Sequence, residues 1–185
     1  MHARRWYRQA WARRALVSLA LAMGLCAAPA AQPGQWQAQD LQFDYRGFTT
    51  HYSCDGLADR LRLVLSLLGA RADLQVTSQA CSALPGHPDL FPSLRLQFST
   101  LHPATAPGAV AGHWKSVNLG GMQALAPGEC ELAEEIVATV LPRFSVRNLG
   151  RRPVCVPHES AASLSVPLEV FVADGEASGG GAQKR

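Results

Sequence analysis

The sequence predicts an α+β domain of the ferredoxin-like kind, in which duplicated β-α-β units build a largely antiparallel sheet with two helices on one face. Two observations lead to this fold class. A cysteine opens an amphipathic stretch twice, at Cys54 and at Cys130, and a second cysteine follows each after a strand-like run, at Cys81 and at Cys155. Segments of period-two apolar alternation surround both stretches, as expected for half-buried strands. The repetition predicts an internal duplication.

The first thirty residues have the three parts of a secretory signal peptide and are excluded from the fold prediction. Five arginines and no acid lie in this segment, an uncharged run follows at 15–28, and small residues at 28–30 favour cleavage after Ala30. The run is shorter than the roughly 20 residues that span a bilayer, so the mature chain is predicted to have no transmembrane segment. A lipid anchor on Cys26 is an alternative, which the bulky Leu25 before it disfavours. The sequence therefore predicts a periplasmic or secreted bacterial protein.

The leader also carries the excess of positive charge. The chain has 17 basic and 14 acidic side chains, a formal net charge of +3. Without the five leader arginines, 12 basic side chains remain against 14 acids, so residues 31–185 have a net charge of −2. No binding of nucleic acid is expected from a chain with this balance.

The remaining length suits one domain. Residues 31–40 are polar and aperiodic, which predicts a flexible lead-in. A single α+β domain is predicted over 41–173, and the glycine-rich end at 174–185 predicts a disordered tail. Nothing in the sequence specifies an oligomeric state.

The first half of the domain predicts a strand, a helix and a strand. Apolar residues alternate over 41–45, and the alternation changes parity at 46–47, which indicates a β-bulge or a tight turn between two short strands. An apolar stripe with helical spacing predicts a helix over 55–68, which Gly69 ends as a C-cap. A short strand is predicted over 73–79.

The second half repeats this order after two additional strands. A helix is predicted over 129–141, where Pro142 ends it. Pro167 lies inside the last predicted strand and cannot donate to a ladder, so this strand is predicted at an edge of the sheet. The remaining strands of the domain are predicted at 94–101, 113–119, 144–149 and 164–172.

Four cysteines in an oxidising compartment predict two disulfides, and four cysteines allow three pairings. In a β-α-β unit the helix runs antiparallel to its strands, so the start of the helix lies beside the end of the strand that follows it. Pairing within each half satisfies this geometry. The sequence therefore predicts the bridges Cys54–Cys81 and Cys130–Cys155.

One face of the predicted sheet is a candidate binding surface. If the apolar residues of the strands face the helices, polar and aromatic residues lie together on the opposite face. A tryptophan among arginines and amides could stack on a sugar or hold a peptide. The alternative is that Trp114 is covered by the lead-in, the tail or a second subunit. The candidate binding residues are Trp114, Arg95, Gln97, Ser116 and Arg147.

Motifs for catalysis or metal binding are absent from the sequence. No G-x-S-x-G segment occurs, the cysteines are assigned to disulfides, and the histidines lack metal-ligand spacing. No catalytic residue, metal site or cofactor is predicted. The leading hypothesis is a non-catalytic binding module with an envelope protein or glycan as partner. The alternative is a small extracytoplasmic hydrolase that uses His51 or His113.

The segments "FTTHYSCDGLADRLRLVLSLLGAR", "AGHWKSVNL", "CELAEEIVATVLPRF" and "CVPHES" resemble a small group of secreted proteobacterial proteins with the same cysteine framework. The resemblance covers most of the mature chain and implies an exported, disulfide-bonded protein without indicating an activity. The doubled strand-helix-strand layout is also similar, in topology alone, to the sporulation-related repeat domains that bind peptidoglycan. Two additional strands and two disulfides distinguish this chain from those domains.

Overall fold

A computed structural model describes residues 31–81, 87–121 and 124–175. The predicted signal peptide and the last ten residues of the predicted tail lie outside the described residues. None of the helices in the described ranges is long and apolar enough to cross a membrane.

The order of elements matches the predicted order of strands and helices. The second helical segment contains the α-helix α2. A 3₁₀ turn precedes α2 at Pro127–Glu129, and a π-helical turn follows it at Ile136–Val140. A second 3₁₀ turn ends the segment at Leu141–Arg143. The elements are β1 (Gln32–Asp44), α1 (Cys54–Leu67), β2 (Gln75–Ala80), β3 (Ser93–Pro103), β4 (Val110–Asn118), α2 (Cys130–Glu135), β5 (Val146–Arg147) and β6 (Pro167–Ala173).

The strands form one six-stranded sheet in the order β2-β3-β1-β4-β6-β5, and every neighbouring pair is antiparallel. Apolar residues of both helical segments share one core with the sheet. The α+β class, the antiparallel sheet and the two helices are therefore confirmed. In each half, a third strand lies between the two strands that flank the helix, which is the split β-α-β arrangement. The whole sheet, with six strands in this order, differs from a four-stranded ferredoxin-like sheet.

The two halves also match in sequence at their first strands. β1 contains "GQWQAQDL", which begins at Gly34, and the segment that begins in β4 at Gly112 reads "GHWKSVNL". The glycine, tryptophan and leucine recur 78 residues apart, and an aspartate at 40 corresponds to an asparagine at 118. The halves meet where β1 pairs with β4, through three residues of each strand. The first copy of the repeat lies mostly within residues 31–40, which the polar, aperiodic sequence predicts as a flexible lead-in.

Helix α1 begins one residue before its predicted start. The hydroxyl of Ser53 accepts a hydrogen bond from the Gly56 N–H at 3.2 Å, which caps the first turn. Gly69 follows the last turn with a φ of +80°, a conformation that favours glycine. The buried stripe of the helix consists of Leu57, Leu61, Val64 and Leu65.

Both predicted disulfides are present. The Cα atoms of Cys54 and Cys81 lie 6.0 Å apart, and those of Cys130 and Cys155 lie 5.7 Å apart. In each half, the first residue of the α-helix is thus joined to the segment that follows the next strand.

Two sequence expectations about strands are wrong. The predicted flexible lead-in at 31–40 is mostly β1, which pairs with β3 on one side and with β4 on the other. Hydrogen bonds to these two neighbouring strands hold the polar segment in an extended conformation, although apolar and polar residues show little alternation in its sequence. The predicted edge strand β6 lies between β4 and β5. Pro167 is tolerated because it is the first residue of β6, where a missing N–H disrupts the ladder least.

Candidate functional site: the sheet face opposite the helices

The alternation of β3 divides the sheet into a helix-facing side and an outer side. Leu94, Leu96 and Phe98 are buried toward the helices, whereas Arg95 and Gln97 between them are exposed. The register then assigns the outer face to Trp114, Ser116 and Arg147, since Trp114 pairs with Phe171 while Ser116 and Arg147 both pair with Glu169. All five candidate binding residues therefore lie on the outer face, as the alternation predicted.

The five residues form two groups on that face. Gln97 lies opposite Asp40 of β1, but β1 contacts β4 only through Gln32–Gly34. Gly34 and Asp40 are six residue steps apart along β1, which is about 20 Å of extended chain. The structure therefore brings Arg95 together with Gln97, and brings Trp114 together with Arg147, but it does not combine the two pairs in one site.

The first group is centred on Asp40, a residue that the sequence analysis assigned to the flexible lead-in. The guanidinium of Arg95 donates two hydrogen bonds to its carboxylate, from Nε to Oδ1 at 2.9 Å and from Nη2 to Oδ2 at 2.6 Å. The amide of Gln97 donates a third at 3.3 Å. The hydrogen bond from Arg95 is the main cause that lowers the pKa of Asp40, and the amide of Gln97 adds to it. Asp40 therefore stays ionised and paired.

Two shallow cavities lie beside Asp40 on the outer face of β1, β2 and β3. The first, of about 230 Å³, is lined by Asp40, Gln42, Gln79 and Arg95. The second, of about 350 Å³, includes Gln75, Gln97, Ser99 and Asp73 in its lining. Among the described residues, the exposed side-chain amides of Gln75 and Gln79 form no hydrogen bond. Both amides are therefore available to a ligand.

The charges in these cavities are balanced. The first cavity contains the Asp40–Arg95 pair, and Asp73 of the second cavity forms an ion pair with Arg71. Amide and hydroxyl groups supply the remaining polar atoms. We call the surface formed by Asp40, Gln42, Gln75, Gln79, Arg95 and Gln97 the polar groove.

The second group surrounds Trp114, which is half-buried. The guanidinium of Arg147 lies 4.3 Å from the centre of its ring, and the ring of Phe171 lies 5.4 Å away in a tilted arrangement. The indole N–H donates to the side chain of Gln32 at 3.3 Å. Gln32, the first residue of β1, thus covers part of Trp114. The indole ring is therefore less accessible than it would have to be to stack on a sugar or hold a peptide.

The first half contains a counterpart of this arrangement. The guanidinium of Arg71 lies 5.9 Å from the ring centre of Trp36, which occupies the position of Trp114 in the sequence repeat. Arg71 and Arg147 each pair with an acid as well, Arg71 with Asp73 and Arg147 with Glu169.

A small apolar cluster lies between the two tryptophans. Leu101 and Phe171 are each only 1% exposed although they belong to the outer face. A Cβ atom on Gly34 would lie 2.7 Å from the Phe171 ring, and one on Gly112 would lie 2.8 Å from the Leu101 side chain. Glycine at both positions of the sequence repeat therefore makes room for these two side chains.

The two histidines of the hydrolase alternative differ in environment. His51 is exposed, whereas Nδ1 of His113 in β4 contacts the carboxylate of Asp174, the residue that follows β6. Another histidine, His102, lies between Ser145 Oγ at 2.8 Å and Thr100 Oγ1 at 2.9 Å. Desolvation by burial is the main cause that lowers the pKa of His102. None of these histidines lines the polar groove.

No family model, no curated protein and no solved structure matches the chain.

Proposed function

We propose that this protein is an exported, non-catalytic binding module of the bacterial cell envelope and that the polar groove binds an uncharged glycan. The observation that carries the proposal is the combination of available amides with paired charges at two adjacent shallow cavities that share Asp40. Sugar hydroxyls both donate and accept hydrogen bonds, and a glutamine amide offers a carbonyl oxygen and an N–H₂ group to them. A phosphate or a strongly charged peptide would instead require an excess of one charge.

Two further features support the proposed location. Two disulfides are typical of proteins that fold in an oxidising compartment outside the cytoplasm. The basic and apolar character of residues 1–30 has the pattern of a signal peptide. The resemblance to secreted proteobacterial proteins implies the same location.

We also propose that the fold arose by duplication of a β-α-β-β unit. The mirrored strand order, the recurring glycine and tryptophan of β1 and β4, and the equivalent disulfides support this origin. The polar groove lies within the first unit. The Asp40 and Arg95 pair therefore distinguishes this unit from the second, where Asn118 replaces the aspartate.

Retention on isolated bacterial sacculi tests the proposed ligand. We expect the wild-type protein to sediment with sacculi and the double variant Gln75→Ala/Gln79→Ala to bind roughly 30-fold more weakly, because two hydrogen bonds of about 1 kcal/mol each are lost. Both amides are exposed, so the melting temperature should stay nearly unchanged. Ser116→Ala removes a polar side chain from the same face outside the groove and should bind like the wild type.

Two other outcomes would reject the proposal that the polar groove binds a glycan. Equal retention of the double variant and the wild type would exclude the polar groove as the site. If the wild type is not retained and instead hydrolyses a generic ester in a reaction that His113→Ala abolishes, the hydrolase alternative is correct.

A further inference from the structure

Five large apolar side chains are exposed on three loops that do not belong to the polar groove. Their exposed fractions are 57% for Phe48, 71% for Leu90, 67% for Phe91, 86% for Val154 and 55% for Val156. Exposed apolar residues that cluster in this way mark interaction surfaces more often than isolated ones do. We call these five residues the apolar tip.

Contacts between the loops place them at one end of the domain. The ring of Phe48 lies 5.7 Å from the ring of His158 in the third loop. The Tyr45 N–H donates to the Pro92 carbonyl at 3.1 Å, which joins the first loop to the second. The third loop is also attached to the start of α2 through the Cys130–Cys155 disulfide.

The loop that presents Phe48 is held in place by hydrogen bonds. Glu131 Oε2 accepts from the Phe48 N–H at 2.7 Å and from the Thr49 N–H at 2.9 Å. The Thr50 hydroxyl donates to the Gly128 carbonyl at 2.6 Å, and the Tyr45 hydroxyl donates to the Thr50 carbonyl at 2.9 Å. Phe48 is therefore exposed on an ordered loop, which lowers the entropy cost of binding through it.

Basic side chains accompany the apolar tip. The guanidinium of Arg46 lies 5.7 Å from the centre of the Phe91 ring, and Arg151 and Arg152 are exposed shortly before Val154. The carboxylates of Glu131 and Glu134 contact the same loops, but they accept hydrogen bonds from the Phe48 and Cys155 N–H groups. Three exposed arginines thus lie on the loops that carry the apolar tip.

We propose that the apolar tip inserts into the interface of a bilayer that contains anionic phospholipids. Side chains that protrude from separate loops can each enter the interfacial region, and apolar burial combined with arginine contacts to anionic headgroups governs such binding. The apolar tip and the polar groove are different surfaces, so membrane binding would position the groove near the envelope without occupying it.

Flotation with large unilamellar vesicles tests this inference on the complete mature protein. We expect binding to vesicles of phosphatidylglycerol and phosphatidylcholine, and binding at least tenfold weaker to phosphatidylcholine alone. The variant Phe48→Ser/Phe91→Ser should lose at least tenfold in affinity for the anionic vesicles. Leu63→Ser is the matched control, because Leu63 is an exposed apolar residue of α1 outside the tip, and it should bind like the wild type.

Three results would overturn the inference: no binding of the wild type to either vesicle, equal binding to both vesicles, or undiminished binding of the double phenylalanine variant. Circular dichroism of the variant verifies that it is folded. Retention on sacculi reports on the polar groove separately, so the two proposals can fail independently.

Discussion

Replacing both cysteines of one disulfide with serine should lower the free energy of unfolding by about 3–4 kcal/mol. The Cys54–Cys81 bridge spans 27 residues and the Cys130–Cys155 bridge spans 25, and loops of this length give a loss of this size in the chain-entropy model. Because native domains are stable by about 5–15 kcal/mol, removal of both bridges should leave little folded protein.

Urea unfolding of the two single-bridge variants measures this effect, and non-reducing peptide mapping of the wild type establishes the pairing. The free energy of unfolding should fall by similar amounts in the two variants, since the two bridges occupy equivalent positions in the two halves of the domain. A peptide that links Cys54 to Cys130 or to Cys155 would contradict the pairing. Free thiols at two or more positions would also contradict it and would make a reactive cysteine possible.

Phe171→Ala should lower the free energy of unfolding by about 3–5 kcal/mol, the usual cost of removing a buried phenylalanine. The ring contacts Trp114 and lies within van der Waals reach of Gly34 and Gly112, so its loss opens a cavity beside the junction of β1 and β4. Only 1% of Phe171 is exposed, although the residue lies on the face that the helices do not cover.

Phe48→Ala is the matched control for this measurement, because it makes the same chemical change at a residue that is 57% exposed. Its effect should stay within about 0.5 kcal/mol. A loss below 1 kcal/mol for Phe171→Ala would show that the outer face has no apolar cluster of its own.

Most of the fold could be predicted from local patterns. The helix stripe that ends at Gly69 and the alternation of Leu94, Leu96 and Phe98 each reflect one element facing one core, so periodicity alone identifies them. The cysteine pairing followed from the direction of a helix relative to its strands. These features are set by residues close together in the chain or by simple geometry.

Features that depend on distant partners were missed. β1 has glutamines on both faces, and its extended structure comes from ladders with β3 and β4 that no local pattern reveals. The polar groove was recognised only in part, because Asp40 belongs to that strand. Trp114 was predicted on the correct face, but its packing against Phe171 and Arg147 requires β5 and β6, which lie far along the chain.

The 78-residue repeat of glycine and tryptophan was the signal that could have corrected these errors. Aligning β1 with β4 assigns Gly34–Leu41 to a strand, because Gly112–Leu119 already shows strand alternation. The same alignment places Asp40 at the position of Asn118, on the same face of its strand as Trp36.

A nuclear magnetic resonance titration tests the binding proposal most directly. The protein, labelled with nitrogen-15, would be titrated with the soluble disaccharide-peptides that a muramidase releases from sacculi, whose sugar part is the proposed uncharged ligand. We expect the side-chain amide signals of Gln75, Gln79 and Gln97 to shift in a saturable manner, while the indole N–H signal of Trp114 stays in place. Saturable shifts confined to Trp114 or to His113, or no shifts at all, would contradict a glycan site in the polar groove.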